Sequence, residues 1–323
     1  MKYIGLQKQI NRNNNKSVLL LLSFPLLVLL AVFAFTTYAT FDRIQGIQWE
    51  DSLELFLQSI PSVLIGVGIW FVIAYFAHSK MINIAAGSKA LERRENKRVY
   101  NLTENLCMSV GMHMPKLRVI QSPALNAFAS GIKEDDYCVT LTTGIIETLN
   151  DEELEGVIAH ELMHIRNKDV RLLVISIIFV GIFSFAAQVA YRMFWFNGMS
   201  SRSQRRDDKG SGGAAILIIM LIAFIAYLLS ILFKLSLSRK REYLADSGAV
   251  EMTRKPWALA SALRKISGNS HIESITNEDV KEMFIDNSPP TDKKHSKNLM
   301  QSLGNMFSTH PPIEKRIQFL EQL

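Results

Sequence analysis

Four stretches of the chain carry no charged residue: 17–41, 55–77, 172–191 and 214–233. At about 1.5 Å of rise per helical residue, each can cross a hydrocarbon core of roughly 30 Å. Polar residues return abruptly at every boundary. The pattern predicts four transmembrane helices, with soluble segments at 78–171 and 234–323 on either side of the second pair. Pro25 falls inside the first run and Pro61 near the start of the second. Trp70, Tyr75 and Phe76, toward the end of that run, suit a membrane interface.

The soluble segments have different periods. Residues 85–106 read as a charge-rich helix. Residues 116–121, 126–129 and 137–142 read as short strands, separated by Ser-Pro, Ser-Gly and Asp-Asp turn signals. Residues 149–171 return to helical spacing, with Val157, Ile158, Leu162, Met163 and Ile165 as an apolar stripe. Asn150 can cap this helix, and Glu153, three residues on, can close a capping box. Asp151 and Glu152 put negative charge where the helix dipole favours it.

Charge orients the spans. Residues 1–16 hold Lys2, Lys8, Arg12 and Lys16 and no acid, whereas 42–54 hold Asp42, Glu50, Asp51 and Glu54 against Arg43. Basic flanks stay inside, so the N-terminal tail and both soluble segments are expected in the cytoplasm. The loop 192–213 conflicts with this, because Arg192, Arg202, Arg205, Arg206 and Lys209 would draw it to the same side. Either it crosses despite its charge, or 172–191 and 214–233 form a hairpin that does not fully span. Both solutions return the flanks to one side.

The bulk properties agree with a membrane protein. The 323 residues are 48% hydrophobic with a formal charge of +6, and mean hydropathy is +0.13. No basic-aromatic interleaving points to nucleic acid; basic flanks facing anionic lipid account for the charge. The spans carry no Asp, Glu, Lys, Arg or His, which argues against an ion or proton pathway. Cys107 and Cys138 stand in no C-x-x-C pattern and are expected as buried, reduced thiols.

The chemistry is concentrated in His160-Glu161-Leu162-Met163-His164, the pattern H-E-x-x-H. On a helix, residues four apart share a face, so His160 and His164 can grip one metal ion with Glu161 beside its open side. A catalytic zinc takes three protein ligands and a water. Glu242 and Asp246 are also four apart. Glu242 can be the third ligand, and Asp246 can accept the second N–H of a ligating imidazole. Zinc would make the water acidic, and Glu161 would take its proton as it attacks a peptide carbonyl.

HELMH at 160–164, SRKREYLAD at 238–246, NAFASG at 126–131 and STHPPIEKRI at 308–317 resemble, in that order, the HtpX-type integral-membrane zinc metalloproteases, relatives of the CAAX prenyl proteases. The resemblance implies a mainly α membrane protein. It would have four transmembrane helices and a cytoplasmic α+β zincin (gluzincin-like) catalytic domain with a small antiparallel sheet. It implies one Zn2+ per chain held by His160, His164 and Glu242, with Glu161 as base. It implies that Asn126, Ala127, Phe128 and Ala129 form an edge strand along which substrate backbone pairs. His310 would be an oxyanion-side donor and Arg316 an orienting charge. The expected substrates are membrane and cytoplasmic proteins, misfolded or damaged, cut at the cytoplasmic face of a bacterial inner membrane. A CAAX-type processing protease and a non-catalytic zinc-binding scaffold are the alternatives. The first wants more spans than four, and nothing demands inactivity while Glu161 is present.

Overall fold

The structure is a computed structural model and describes residues 6–40, 46–175, 240–267, 269–272, 275, 283–286 and 311–323. The elements are α1 (Leu6–Ala39), α2 (Trp49–Ala85), β1 (Lys89–Ala90), α3 (Lys97–Ser109), β2 (Lys116–Ile120), β3 (Ala127–Ser130) and β4 (Cys138–Thr142). They continue with α4 (Thr143–Thr148), α5 (Asp151–Arg166), α6 (Lys240–Thr253), α7 (Pro256–Ile266) and α8 (Ile313–Leu320). Residues 6–17, 77–175 and the described part of 234–323 form one compact unit, and 18–76 belong to a second.

Helices α1 and α2, which supply most of the second unit's described residues, are long and apolar enough to cross a membrane, over Asn11–Tyr38 and Trp49–Ala85. Leu22, Leu26, Ile65, Ile69 and Phe76 lie exposed on them. Such side chains are costly in water and suited to lipid. Both helices outrun their uncharged stretches: α1 is already helical at Leu6, through the basic segment, and α2 continues to Ala85. The runs 214–233 and all but the first residues of 172–191 lie outside the described residues, as does the loop 192–213.

The expected helix over 85–106 is two elements. Gly87, at φ +63°, ends α2. The chain then makes the short strand β1, and Asn96 caps α3 by accepting a hydrogen bond from the Val99 N–H. The strands fall within a residue of their expected bounds, but the sheet is mixed rather than antiparallel. Its order is β1-β2-β4-β3, with β2 parallel to β4 and the other two pairs antiparallel. The chain leaves β2, lays β3 down one place away, and returns through the gap as β4. All five β4 residues are buried, the pattern of a central strand covered on both faces. Cys138 on β4 and Cys107 on α3 are both free and buried, and burial pushes each thiol up to about 11.

Beneath the sheet lies α5, packed against α3, α6, α7 and β3. Leu154, Val157, Ile158, Ala159 and Leu162 are fully buried. Gly156 brings the α7 backbone close: a Cβ there would stand 3.3 Å from Leu259 Cα. Gly248 does the same for α6, where a Cβ would collide with the Met163 side chain. Close packing at these two points fixes what α6 presents to α5.

The predicted capping box is present. Asn150 accepts from the Glu153 N–H, and Glu153 Oε2 accepts from the Asn150 N–H at 2.9 Å. The same carboxylate reaches α7, accepting from Lys265 Nζ and Ser261 Oγ at 2.7 Å each. Burial alone would raise its pKa, but Lys265, Ser261 and the Asn150 N–H outweigh burial and hold it below the usual 4.5. A carboxyl depressed on folding adds stability above its unfolded value, and that stability is lost as pH falls through the folded value. Glu153→Gln is expected to lower unfolding free energy by about 1–3 kcal/mol near neutral pH. Denaturant unfolding in detergent with chelator present should show the gap to wild type closing below about pH 4.

Candidate functional site

The H-E-x-x-H motif lies in the last two turns of α5. His160 and Glu161 are buried, and His164 is nearly so. The two Nε2 atoms face each other at 3.1 Å, with the rings perpendicular and their centroids 4.7 Å apart. From α6, Glu242 Oε2 lies 3.7 Å from each of those nitrogens. One ligand atom from each of His160, His164 and Glu242 falls within 4.8 Å of the others. Two imidazoles and a carboxylate converging at this spacing fit a single divalent metal with a position left open.

The electrostatics favour a cation. Burial works against charge on His164, yet Glu242 and Asp169 outweigh it and raise its pKa to about 10. Burial pushes the Glu161 carboxyl above its ordinary value, and the neighbouring Glu242 adds to this. Glu161 shares a small pocket with His164, Glu242, Ala129, Arg241 and Met283.

Each imidazole is held from behind by a carboxylate. His160 Nδ1 lies 2.9 Å from Asp246 Oδ1, one turn beyond Glu242 on α6. Asp246 is itself gripped by Arg316 from α8, which donates Nε to Oδ2 at 2.9 Å and Nη2 to Oδ1 at 2.7 Å. Arg316 is buried and also donates Nη1 to the Ile285 carbonyl. Burial would raise the Asp246 carboxyl, but the guanidinium outweighs it and holds the group below the usual range. His164 Nδ1 meets Asp169 Oδ2 at 3.2 Å.

Of the residues singled out in the sequence, the structure brings together His160, Glu161, His164, Glu242, Asp246 and Arg316. His310 lies outside the described residues. Asp169 was not singled out. Its signal is faint: a lone acid five residues after His164, among Arg166, Lys168 and Arg171, which read as interfacial anchors.

The strand containing Ala127, Phe128 and Ala129 is at the sheet edge beside the pocket. Its parts are used unequally. The Asn126 amide donates to the carbonyls of Ser270 and Asp286, fastening those loops. Phe128 is fully buried and meets Phe284 edge to face. The Ala127 carbonyl accepts from the Ile285 N–H at 2.9 Å. Ala129, two residues on, presents its backbone to the same side and lines the pocket.

Known proteins match over these residues. A "Protease HtpX homolog" of Bacteroides fragilis is 51% identical, over the full length of both chains. Proteins of the same name from Streptococcus uberis and Ligilactobacillus salivarius are 32% and 35% identical, each over 98% of this chain and all of the other. Among solved structures, the crystal structure of S. mikatae Ste24p matches with a TM-score of 0.45 at 19% identity, over 82% of this chain and 58% of that one. The model of peptidase family M48 matches residues 93–323. That span takes in the whole buried site from His160 to Arg316, and the chain belongs to peptidase family M48, a family of metallopeptidases.

Proposed function

We propose that this metalloprotease is a zinc-dependent endopeptidase of the bacterial inner membrane. It cuts misfolded or damaged membrane proteins at the cytoplasmic face, as part of membrane protein quality control. Its catalytic domain is a zincin, carried by four spans formed by α1, α2 and the runs 172–191 and 214–233. The observation that carries the reading is the buried His160–His164–Glu242 set with Glu161 beside it. Zinc is chosen because two imidazoles and one carboxylate are a catalytic-zinc donor set.

When bound, zinc supplies Lewis acidity toward water and the scissile carbonyl. The chain's own residues do the rest. Substrate backbone lies along the open part of the β3 edge, pairing at Ala129, which sets the scissile carbonyl against the pocket. The carboxylate of Glu161 takes a proton from the attacking water and delivers it to the leaving nitrogen. A pKa raised by burial suits both transfers. Asp246 and Asp169 fix the tautomer and orientation of the two imidazoles. Arg316 keeps Asp246 charged and aimed; the oxyanion-side donor would be His310, a role that rests on the sequence resemblance alone.

Purified full-length protein in detergent, supplied with zinc, should cleave casein. Glu161→Gln should retain its zinc and lose about 10²–10⁴-fold in kcat. A variant that cleaves as fast as wild type would rule out Glu161 as the base, whereas wild-type protein that cleaves nothing would leave only a metal-binding scaffold. Arg316→Ala strands Asp246 as an uncompensated buried charge. It should cost about 3–5 kcal/mol of stability and weaken zinc binding about 10–100-fold, read by chemical unfolding and by chelator competition.

A further inference from the structure

Asp169 is one half of a pair of similar devices. On one side the order is His160, Asp246, Arg316; on the other it is His164, Asp169, and then a residue from the far end of the sequence. Asn13 on α1 is buried, and its Nδ2 donates to Asp169 Oδ1 at 2.7 Å and to the Asn167 carbonyl at 2.9 Å. A primary amide has two N–H donors, and both are engaged. Asn13, Asp169 and His164 all belong to the same compact unit.

The two acceptors flank a strained point. Asn167 is the C-cap of α5, and the next residue, Lys168, has φ 58°. A left-handed conformation costs a non-glycine residue about 1–2 kcal/mol and persists only where its surroundings hold it. This turn decides whether Asp169 comes back to His164. Asn13 bridges it, with one hydrogen bond before Lys168 and one after. Held at Oδ1, the Asp169 carboxylate can present only Oδ2 to the His164 Nδ1.

We propose that Asn13 is a positioning residue of the metal centre: through Asp169 it sets the orientation of His164, so α1 governs one ligand of the site it precedes in the sequence by about 150 residues. A neutral amide suits this task. It orients the carboxylate without neutralising it, whereas Arg316 opposite supplies a full charge to Asp246. The inference rests on the reading that His164 is a zinc ligand.

The test is a double-mutant cycle on full-length protein in detergent, with zinc affinity read by chelator competition and site geometry by the visible spectrum of the cobalt-substituted protein. Asn13→Ala should raise the zinc Kd about tenfold and alter the cobalt bands. Asn13→Asp, of the same shape but without the donors, should do at least as much. Exposed Asn15, two residues on, serves as control, and Asn15→Ala should change neither. In an Asp169→Ala background, Asn13→Ala should add less than about a twofold change, because coupled residues are not additive. An unchanged Kd and cobalt spectrum in both Asn13 variants would overturn the inference, and so would the same fold-loss in both backgrounds. If His164→Ala binds zinc as tightly as wild type, the zinc reading itself fails, and this inference with it.

Discussion

The structure depends on keeping a cluster of charge out of water. Glu161, Glu242, Asp246 and Asp169 are all buried within reach of two imidazoles, and the buried Arg316 pairs with Asp246 and Glu242. Moving one such ion from water into a low-dielectric interior costs several kcal/mol unless an opposite charge or hydrogen bonds compensate. The compensation comes from separate parts of the chain. α5 brings the histidines, α6 brings Glu242 and Asp246, and α8 brings Arg316. None of these helices can move away without stranding a charge on another. A divalent cation adds the remaining positive charge, so binding it stabilises the assembled arrangement over the dispersed one.

Arg316 shows why three helices and a loop are held in one arrangement. Its planar fork gives two donors to a single carboxylate, a fit that lysine could not reproduce. Its remaining nitrogen reaches the Ile285 carbonyl, in the segment that also touches β3. The residue that keeps a histidine's partner in place therefore also seats the loop beside the sheet edge. Packing, charge and the shape of the pocket mouth are coupled through one side chain.

Local patterns in the sequence revealed the parts of the site that sit on one helix. The capping box of α5, the i, i+4 histidines and the i, i+4 acids are spacings that a helix converts directly into a shared face. Strands β2, β3 and β4 were legible as short runs set off by turn signals, and β1 was not. What escaped depended on distance or on a single backbone angle. The break at Gly87 turned one expected helix into a strand and a helix. The parallel β2–β4 pair depends on where β3 is laid down, which no residue of β2 or β4 records. Asp169 was hidden among cations, and its partner Asn13 lies in a stretch whose composition reads as a basic tail.

The hydrogen bond from Ile285 to Ala127 has a consequence for the sheet as a whole. An edge strand offers its free backbone groups to any passing strand, including the edge of another copy of the same chain. Here the molecule's own backbone already occupies one rung of β3. The strand has four residues, and only alternate ones face outward, so little of its edge is left open. A visitor meets a wall at one end and has a single frame in which to settle, while two copies cannot zip together along the edge. The contact that narrows the opening also keeps an exposed sheet edge from seeding aggregates.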